Sequence, residues 1–286
     1  MIQLYTDTSA NLPLALIKQH HLKVVSFSYY VNGEKAVYDE TLDFDGEAFY
    51  GAMRADAQVT TSLINVGDFI DRFEEDLSAG NDVLYIGMSG GISGTANAAA
   101  VAVSELREKY KQRRIAAIDT YAASLGEGLL VLMAAQMLAA GALFDGIRQK
   151  IETCRHTMCQ YFTVDDLEYL KKGGRISGAA ALIGNLLGIK PILMGDEQGH
   201  IVLCDKVRGS ARALEHLAEK YLRLAADKAA DIGIAHADNP AGAQSLLDKL
   251  RARGLTGDCL TVCYEPVTGA HVGPGTVALF FPGTKK

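Results

Sequence analysis

Between Asn81 and Ser104 the chain reads NDVLYIGMSGGISGTANAAAVAVS. The apolar, β-prone residues Val83 to Ile86 predict a buried strand, and four glycines with interleaved serines follow them. An alanine-rich run to about Arg114 predicts a helix whose N-cap is Ser93 or Thr95. A glycine-rich loop at a helix N-terminus presents N–H groups and the positive end of the helix dipole. The stretch therefore predicts a site for an anion, whether a phosphate, a carboxylate or a transient oxyanion.

Strands alternate with helices on both sides of this stretch. A strand from Ile2 to Tyr5 precedes a helix from Leu12 to His20, and a second strand is predicted from Lys23 to Val31. Asn32-Gly33 then predicts a hairpin turn, and Arg114 to Ile118 predicts another strand. This order is typical of βαβ units around a parallel sheet.

The pattern of elements changes near Thr157. A strand is predicted from Met158 to Val164, and a hairpin pairs Pro191 to Met194 with His200 to Val207. We therefore expect an α/β protein of two domains, with a ligand between them. The N-terminal domain, residues 1–157, has a parallel sheet, and the C-terminal α/β domain, residues 158–286, has a mixed one.

Polar residues at several element ends have two interpretations each. Thr8 and Ser9 follow the first strand, so they either lie near a ligand at the carboxyl end of the sheet or cap the next helix. Thr60-Thr61-Ser62 precedes an amphipathic helix from Val66 to Leu77, where hydroxyls are usually caps. His271, by itself, is equally well a packed loop histidine.

Composition excludes several classes of protein. The chain has 286 residues, 49% of them hydrophobic and 22% charged, with a net charge of −6 and no basic stripe, so we expect no nucleic-acid partner. Five cysteines without a C-x-x-C pair indicate reduced structural thiols and a cytoplasmic location. The apolar run Leu125 to Leu143 contains Glu127 and Gln136 and predicts a buried helix rather than a membrane span. No histidine, cysteine and aspartate grouping has the spacing of metal ligands.

One enzyme class remains as an alternative. Gly87-Met88-Ser89-Gly90-Gly91 matches the G-x-S-x-G motif of serine hydrolases, and His271 follows near the end of the sequence. A nucleophile elbow enters its helix at once, however, whereas Ile92-Ser93-Gly94 intervenes here. A serine hydrolase or thioesterase using Ser89 and His271 is thus the alternative hypothesis. Nucleotide binding is excluded because neither G-x-G-x-x-G nor a Walker A loop is present.

Eight short motifs, spread in order over nearly the whole chain, carry a family resemblance. They are TDTSANLP (Thr6 to Pro13), TTS (Thr60 to Ser62), SGGISGT (Ser89 to Thr95), DT (Asp119-Thr120), LEYLKKGGRISG (Leu167 to Gly178), IKPIL (Ile189 to Leu193), KVRG (Lys206 to Gly209) and HVGPGT (His271 to Thr276). As a set they resemble the DegV family. The resemblance implies a bacterial two-domain α/β protein that encloses one long-chain fatty acid between its domains.

The resemblance also implies a role in phospholipid metabolism. Family members are the fatty-acid-binding subunit of a two-component fatty acid kinase, in which an ATP-dependent partner phosphorylates the bound carboxylate to an acyl phosphate. Such a protein performs no chemistry alone and needs no cofactor or metal beyond the fatty acid. We expect no stable membrane insertion, while transient contact with a membrane stays open. A lipid-sensing regulator with the same pocket and no kinase is the third hypothesis.

Matching motifs assign roles to particular residues. Thr61 and Ser93 resemble the hydroxyls that bind the carboxylate, with Ser62 and Gly94 beside them, and His271 resembles the histidine that joins this network.

The same resemblance assigns contacts with the kinase to Arg175 and Arg208. The apolar run from Ala179 to Leu193 packs as core or lines a narrow tunnel, and periodicity does not decide between them. The family function favours a tunnel wall. The expected acyl-chain pocket residues are Ile183, Leu186, Leu187 and Ile189.

The chain departs from the family pattern at one place beside this site. Leu63-Ile64 stands where the family usually continues with Gln-Pro. The match at Thr61 is unaffected by this difference. Because of this difference, the resemblance does not predict the shape of the adjacent loop.

Overall fold

The computed structural model of the chain describes residues 1–37, 44–176 and 188–286. The helices are α1 (Leu14–Gln19), α2 (Gly46–Arg54), α3 (Val66–Ser78), α4 (Thr95–Lys109), α5 (Leu125–Ala139), α6 (Phe144–Cys154), α7 (Glu168–Lys172), α8 (Ser210–Leu224), α9 (Pro240–Ala252) and α10 (Pro266–Val272). The strands are β1 (Ile2–Asp7), β2 (Lys23–Val25), β3 (Ser28–Val31), β4 (Glu34–Val37), β5 (Val59–Ser62), β6 (Asp82–Gly87), β7 (Ile115–Asp119), β8 (Met158–Thr163), β9 (Ile189–Gly195), β10 (Ile201–Arg208), β11 (Ile232–His236), β12 (Cys259–Cys263) and β13 (Val277–Pro282). A 3₁₀ turn, Thr8–Ala10, follows β1 directly.

The described strands form one parallel sheet, one mixed sheet and one small antiparallel sheet. The parallel sheet has the order β2-β1-β6-β7, and the mixed sheet has the order β10-β9-β8-β13-β11-β12. The small sheet has the order β4-β3-β5 and includes the predicted hairpin after Val31. The predicted α/β class, with a parallel sheet in the first half and a mixed sheet in the second, is confirmed.

Helix α5 links the two large sheets through its packing. It contacts β1 and β6 of the parallel sheet and β8, β11 and β13 of the mixed sheet. A helix covered in this way is apolar around most of its circumference, which explains the long apolar run there. The prediction of a buried helix is confirmed. One apolar cluster includes Leu4 and Leu84 together with Phe162 and Phe280, and the division into domains at residues 157 and 158 stays a prediction.

Strand register places two loops side by side. β1 and β6 run parallel, with Leu4 opposite Leu84 and Tyr5 opposite Tyr85. Both strands therefore end at the same edge of the sheet, at Asp7 and Gly87. The 3₁₀ turn after β1 and the Gly/Ser loop after β6 meet there, where open α/β sheets bind ligands.

Two predictions about strands are wrong. Lys23 to Val31 is not one strand, because the chain leaves the parallel sheet after β2 and enters the small sheet at β3. The N–H of Phe27, between the two strands, donates to the Thr8 hydroxyl at 3.2 Å. Thr60-Thr61-Ser62 is not a helix cap but part of β5, paired with β3. The cap of α3 is Asn65, which forms a capping box with Asp68.

Two predictions about helices also need correction. Helix α4 begins at Thr95 and ends at Lys109, and its N-cap residue is Gly94, not Ser93 or Thr95. His271 does not lie in a loop, because α10 extends from Pro266 to Val272. Glu265 caps this short helix by accepting hydrogen bonds from the N–H groups of its first turn.

Candidate functional site

A cavity lies where the Gly/Ser loop, β5 and α10 face the mixed sheet. Most of its wall is aliphatic or aromatic. Apolar wall residues include Phe27, Leu63, Met88, Ile92, Phe162, Leu170, Ile201, Val267, Val272 and Phe280. Polar wall residues are Thr61, Ser62, Ser93, Ser124, Gln160, Arg175, Thr268 and His271.

Thr61 and His271 form the central polar pair of this cavity. The Thr61 Oγ1 and His271 Nε2 atoms are 2.9 Å apart. Helix α10 packs against β5, β3 and α7, which brings the histidine over the strand. The sequence resemblance placed these two residues in one network, and the fold brings them into direct contact.

Ser93 lies on the cavity wall in the loop before α4. Its hydroxyl is 2.9 Å from the Thr95 hydroxyl and accepts from the Thr95 N–H at 3.3 Å. The Thr95 hydroxyl in turn accepts from the N–H of Ile64 at 3.3 Å. These bonds connect the loop to the end of β5, so Ser93 and Thr61 are held on the same cavity.

Ser62 and Gly94 complete the predicted carboxylate-binding set. Ser62 lines the cavity, and its hydroxyl has no hydrogen-bond partner in the described part of the chain. Gly94 is exposed at the N-cap of α4 and is not among the described wall residues. A Cβ on Gly94 would lie 3.1 Å from the Leu63 side chain, so the two sit at the same rim.

Electrostatics make this end of the cavity positive without a charged histidine. Burial, with a smaller effect from the Arg175 charge, lowers the pKa of His271 to about 4, so its ring is neutral at pH 7. Burial also lowers the pKa of Arg175, whose ordinary value is so high that the guanidinium stays charged. Arg175 therefore supplies the cationic group next to a neutral hydrogen-bonding imidazole.

The two arginines assigned to the kinase occupy different environments. Arg175 is half-buried on the cavity wall, and its Nε donates to the carbonyl of Ile92 at 3.1 Å. Its guanidinium also donates to the carbonyl of Gly173. Arg208 is exposed at the end of β10, opposite Ile189 on β9. Arg175 thus belongs structurally to the cavity, whereas Arg208 belongs to the surface.

Three of the four predicted acyl-pocket residues, Ile183, Leu186 and Leu187, lie outside the described residues. Ile189 begins β9 at a half-buried position, away from the described cavity wall. The aromatic wall comes instead from Phe27 beside β3, Phe162 on β8 and Phe280 on β13. These residues come from three distant parts of the sequence, and no local pattern relates them.

Ser89 has a structural role. Its side chain is fully buried, and its hydroxyl donates to the Gly199 carbonyl at 3.0 Å and accepts from the Gly91 N–H at 3.0 Å. His271 pairs with Thr61 instead. A serine nucleophile needs a base within hydrogen-bond reach and access to substrate, so this arrangement disfavours the hydrolase hypothesis.

Sequence reasoning missed Thr268 and Gln160 on the cavity wall. Thr268 lies one turn before His271 in α10, so both side chains share a face of that helix. The sequence Glu265-Pro266 could have indicated this helix, because proline is common at the first helical position after a cap. Gln160 is bonded to the backbone of Ala123 and Tyr121, at 3.1 and 2.8 Å.

A second cleft adjoins the polar end of the cavity. Exposed residues such as Asp56, Gln58 and Lys172 line it, so it opens to solvent. It shares Thr61, Arg175 and His271 with the cavity. These three residues therefore lie between the cavity and the outside.

Residues 1–37, 44–176 and 188–286 lack two features. Within these ranges no cluster of three or more histidine, cysteine, aspartate or glutamate side chains has the arrangement of a metal site. Within the same ranges no helix is both long enough and apolar enough to cross a lipid bilayer.

Comparison with known proteins gives one consistent result. A family model described as an uncharacterised protein of the DegV family matches residues 1–283. A DegV domain-containing protein of Clostridium perfringens is 36% identical over 284 residues, which cover 99% of this chain and 98% of the relative. A solved structure described as fatty acid binding of a DegV family protein from Thermus thermophilus superposes with a TM-score of 0.88 at 29% identity, covering 98% of both chains. A fatty acid binding DegV family protein from Streptococcus agalactiae gives 0.86 at 32% identity, again over 98% of both chains. The chain belongs to the DegV family.

Proposed function

We propose that this protein binds one long-chain fatty acid, with its carboxylate beside Thr61, Ser93 and His271. The observation that carries the proposal is the lining of the cavity, in which Thr61, His271 and Arg175 adjoin one another while most other walls are apolar. Fatty acid binding by relatives from Thermus thermophilus and Streptococcus agalactiae supports it. A fatty acid has the same division into a polar head and an apolar tail.

Physical chemistry gives each part of the ligand a role. An acyl chain of about 16 carbons contributes of order 10 kcal/mol at roughly 0.8 kcal/mol per buried CH₂, before ordering costs. A buried carboxylate is strongly disfavoured unless it is hydrogen-bonded or paired with a charge. Hydroxyl donors from Thr61 and Ser62 and the Arg175 charge meet that need. The tail supplies affinity and the polar groups set orientation.

We further propose that the protein presents this carboxylate to an ATP-dependent kinase subunit in the cytoplasm. The cleft that shares Thr61, Arg175 and His271 with the cavity offers a route from the surface to the head group. In the transfer, a carboxylate oxygen bonds to the γ-phosphorus of ATP as the bond to ADP breaks, which yields an acyl phosphate. This chain holds and orients the acceptor and contributes no catalytic residue of its own.

Native mass spectrometry of the purified protein tests the binding proposal. One non-covalent fatty acid per chain, identified after organic extraction, is the expected result. A chain that carries no fatty acid and takes up no added oleate would contradict it. The kinase step has a separate test, in which oleate-loaded protein, ATP and the kinase subunit are mixed with hydroxylamine. Hydroxamate formation indicates the acyl phosphate, and a lipid-sensing regulator would give none.

A further inference from the structure

Two carboxyl groups are buried in the first half of the chain without a basic partner among the described residues. Asp7 ends β1, Glu127 lies in the first turn of α5, and neither side chain is more than 1% exposed. Their described hydrogen-bond partners are hydroxyls and backbone N–H groups. Two buried negative charges so close together would be energetically costly.

Ser9 lies between the two carboxyl groups. Its Oγ atom is 2.5 Å from Oδ1 of Asp7 and 2.7 Å from Oε2 of Glu127. A serine hydroxyl has one hydrogen and can donate to only one of these oxygens. The other short oxygen–oxygen contact needs a proton on a carboxyl group. The geometry therefore requires that one of the two acids is neutral.

The donors around each acid identify which one is neutral. Asp7 accepts from the Ser9 N–H at 2.9 Å, the Tyr85 hydroxyl at 2.5 Å and the Met88 N–H at 3.1 Å, besides the Ser9 hydroxyl. Several donors to one carboxyl favour its ionised form, and oxygen–oxygen distances near 2.5 Å are typical of a hydroxyl bonded to a carboxylate. Glu127 accepts only from the Thr6 hydroxyl, at 2.9 Å, within the described chain. Asp7 is therefore the carboxylate and Glu127 the acid.

We propose that Glu127 is a positioning residue whose carboxyl stays protonated at neutral pH and, through Ser9, fixes the ionised Asp7. Asp7 in turn holds the N–H of Met88, which lines the cavity at the start of the Gly/Ser loop. The placement of the proton stands without any ligand. Only its consequence for binding rests on the proposed fatty acid function.

The surrounding charges agree with this placement. Burial raises the pKa of Glu127 well above its ordinary value, and the negative charges of Asp7 and Glu265 raise it further. Burial also raises the pKa of Asp7, but hydrogen bonds from Ser9, Tyr85 and Met88 lower it. Tyr85 stays protonated, since burial and the nearby acids raise its pKa well above the usual value.

Protonation of Glu127 predicts a specific pH dependence of stability. The pKa of Glu127 is raised in the folded state. Its contribution to stability is therefore complete below the pKa of the unfolded state, about 4.5, and is lost as the pH rises toward the pKa of the folded state. In this window the unfolding equilibrium constant gains a factor of about ten per pH unit from this one group. Glu127→Gln removes this loss, because its amide nitrogen donates to Ser9 as the acid does and its carbonyl accepts from Thr6. Because the proposal keeps Glu127 protonated at neutral pH, the stability advantage of E127Q over the wild type should widen about tenfold per pH unit between pH 5 and 7.

The experiment measures denaturant unfolding and oleate affinity of E127Q, D7N and the control E105Q, which changes an exposed glutamate on α4. The amide of Asp7→Asn cannot accept from both the Ser9 and Met88 N–H groups on its two sides, so oleate affinity should fall at least tenfold, while E127Q keeps it. The inference would be overturned if the stability advantage of E127Q over the wild type did not widen with pH. It would also be overturned if D7N kept its oleate affinity while E127Q lost it. The stability difference between E105Q and the wild type should not change with pH. The pH series needs only E127Q, so it tests the protonation of Glu127 even if D7N does not fold. Wild-type protein that does not bind oleate would contradict only the fatty acid proposal.

Discussion

The Nε2 atom of His271 lies 2.9 Å from Oγ1 of Thr61, although the two residues are 210 positions apart in sequence. This contact joins α10, near the end of the chain, to β5 in the first half. It also sets the proposed carboxylate-binding end of the cavity, because both side chains line it. A bound carboxylate would enter an existing hydrogen-bonded pair.

Thr61→Val should weaken fatty acid binding without unfolding the protein. The substitution keeps the shape of the side chain and removes the hydroxyl that pairs with His271. Loss of one hydrogen bond to a charged ligand costs about 1.5–3 kcal/mol, so oleate affinity should fall roughly ten- to a hundredfold. The matched control is Thr60→Val on the same strand, where the side chain is exposed on the opposite face. Equal affinities for T61V, T60V and the wild type in a fluorescent fatty acid displacement titration would contradict the assignment.

His271 should make the unliganded protein less stable in acid. Its pKa is about 4 in the fold and about 6.5 when unfolded, so the unfolded chain takes up a proton first as pH falls below 6.5. The free energy of unfolding should fall by about 3 kcal/mol at pH 4 through this group. Above pH 6.5 this histidine contributes nothing to the pH dependence of stability. Urea unfolding of the wild type and His271→Asn from pH 7 to pH 4 measures the difference.

The control for this series is His21→Asn, an exposed histidine at φ 50, a backbone conformation that asparagine tolerates. Glu265 titrates in the opposite sense, because burial raises its pKa to about 7, but it is present in both variants. Parallel pH curves for H271N and the wild type would show that His271 is not the group responsible. Added fatty acid should reduce the acid loss, since a neighbouring carboxylate favours the imidazolium form.

Ser89→Ala separates a structural serine from a nucleophile. Its hydroxyl donates to the Gly199 carbonyl and accepts from the Gly91 N–H, so the variant should lose about 1–2 kcal/mol of stability and keep its oleate affinity. Labelling with a fluorophosphonate ester probe should be absent in both proteins. Burst labelling of the wild type that disappears in S89A would instead support the hydrolase.

The sequence predicted the α/β class because the hydrophobic residues of the first half repeat with the clear periods of strands and helices. β6 and the start of α4 fall where the apolar run and the alanine-rich run place them. The cap at Gly94 was missed, since local rules favour the hydroxyls on either side of it. Local pattern therefore gave the elements with errors of a few residues at their ends.

Elements that depend on distant partners were harder to predict. Thr60-Thr61-Ser62 follows cap rules locally, but pairing with Tyr29 and Tyr30 makes it a strand, in which β-branched threonine packs well. Likewise the Thr-Gly-Ala-His-Val part of α10 has weak helix propensity, and this helix depends on its Glu265 cap and on packing. The aromatic walls of the cavity arise from tertiary structure alone, so no local motif predicted them.

The two arginines should separate binding from transfer. Arg208→Ala removes an exposed side chain, so stability and oleate affinity should stay within experimental error while acyl phosphate formation with the kinase subunit falls. Arg175→Ala should weaken both steps, because it removes the cavity's cation and its bond to Ile92. Oleate titration and the hydroxamate assay measure the two effects. Arg148→Ala on α6 is the control, and unchanged transfer in R208A would exclude that residue from the kinase contact.

Ile64 stands where the sequence resemblance leads us to expect a proline. Its side chain is buried and its N–H donates to Thr95, whereas the neighbouring Leu63 is 50% exposed. Ile64→Pro removes that donor and leaves part of the core unfilled, so it should cost about 2 kcal/mol and loosen the Gly/Ser loop. Leu63→Gln should change stability by less than about 0.5 kcal/mol, because it alters a partly exposed side chain. Urea unfolding of the two variants tests this pair of expectations. An I64P protein as stable as L63Q would mean that the Ile64–Thr95 contact does not fix the loop, and that a proline fits here without repacking.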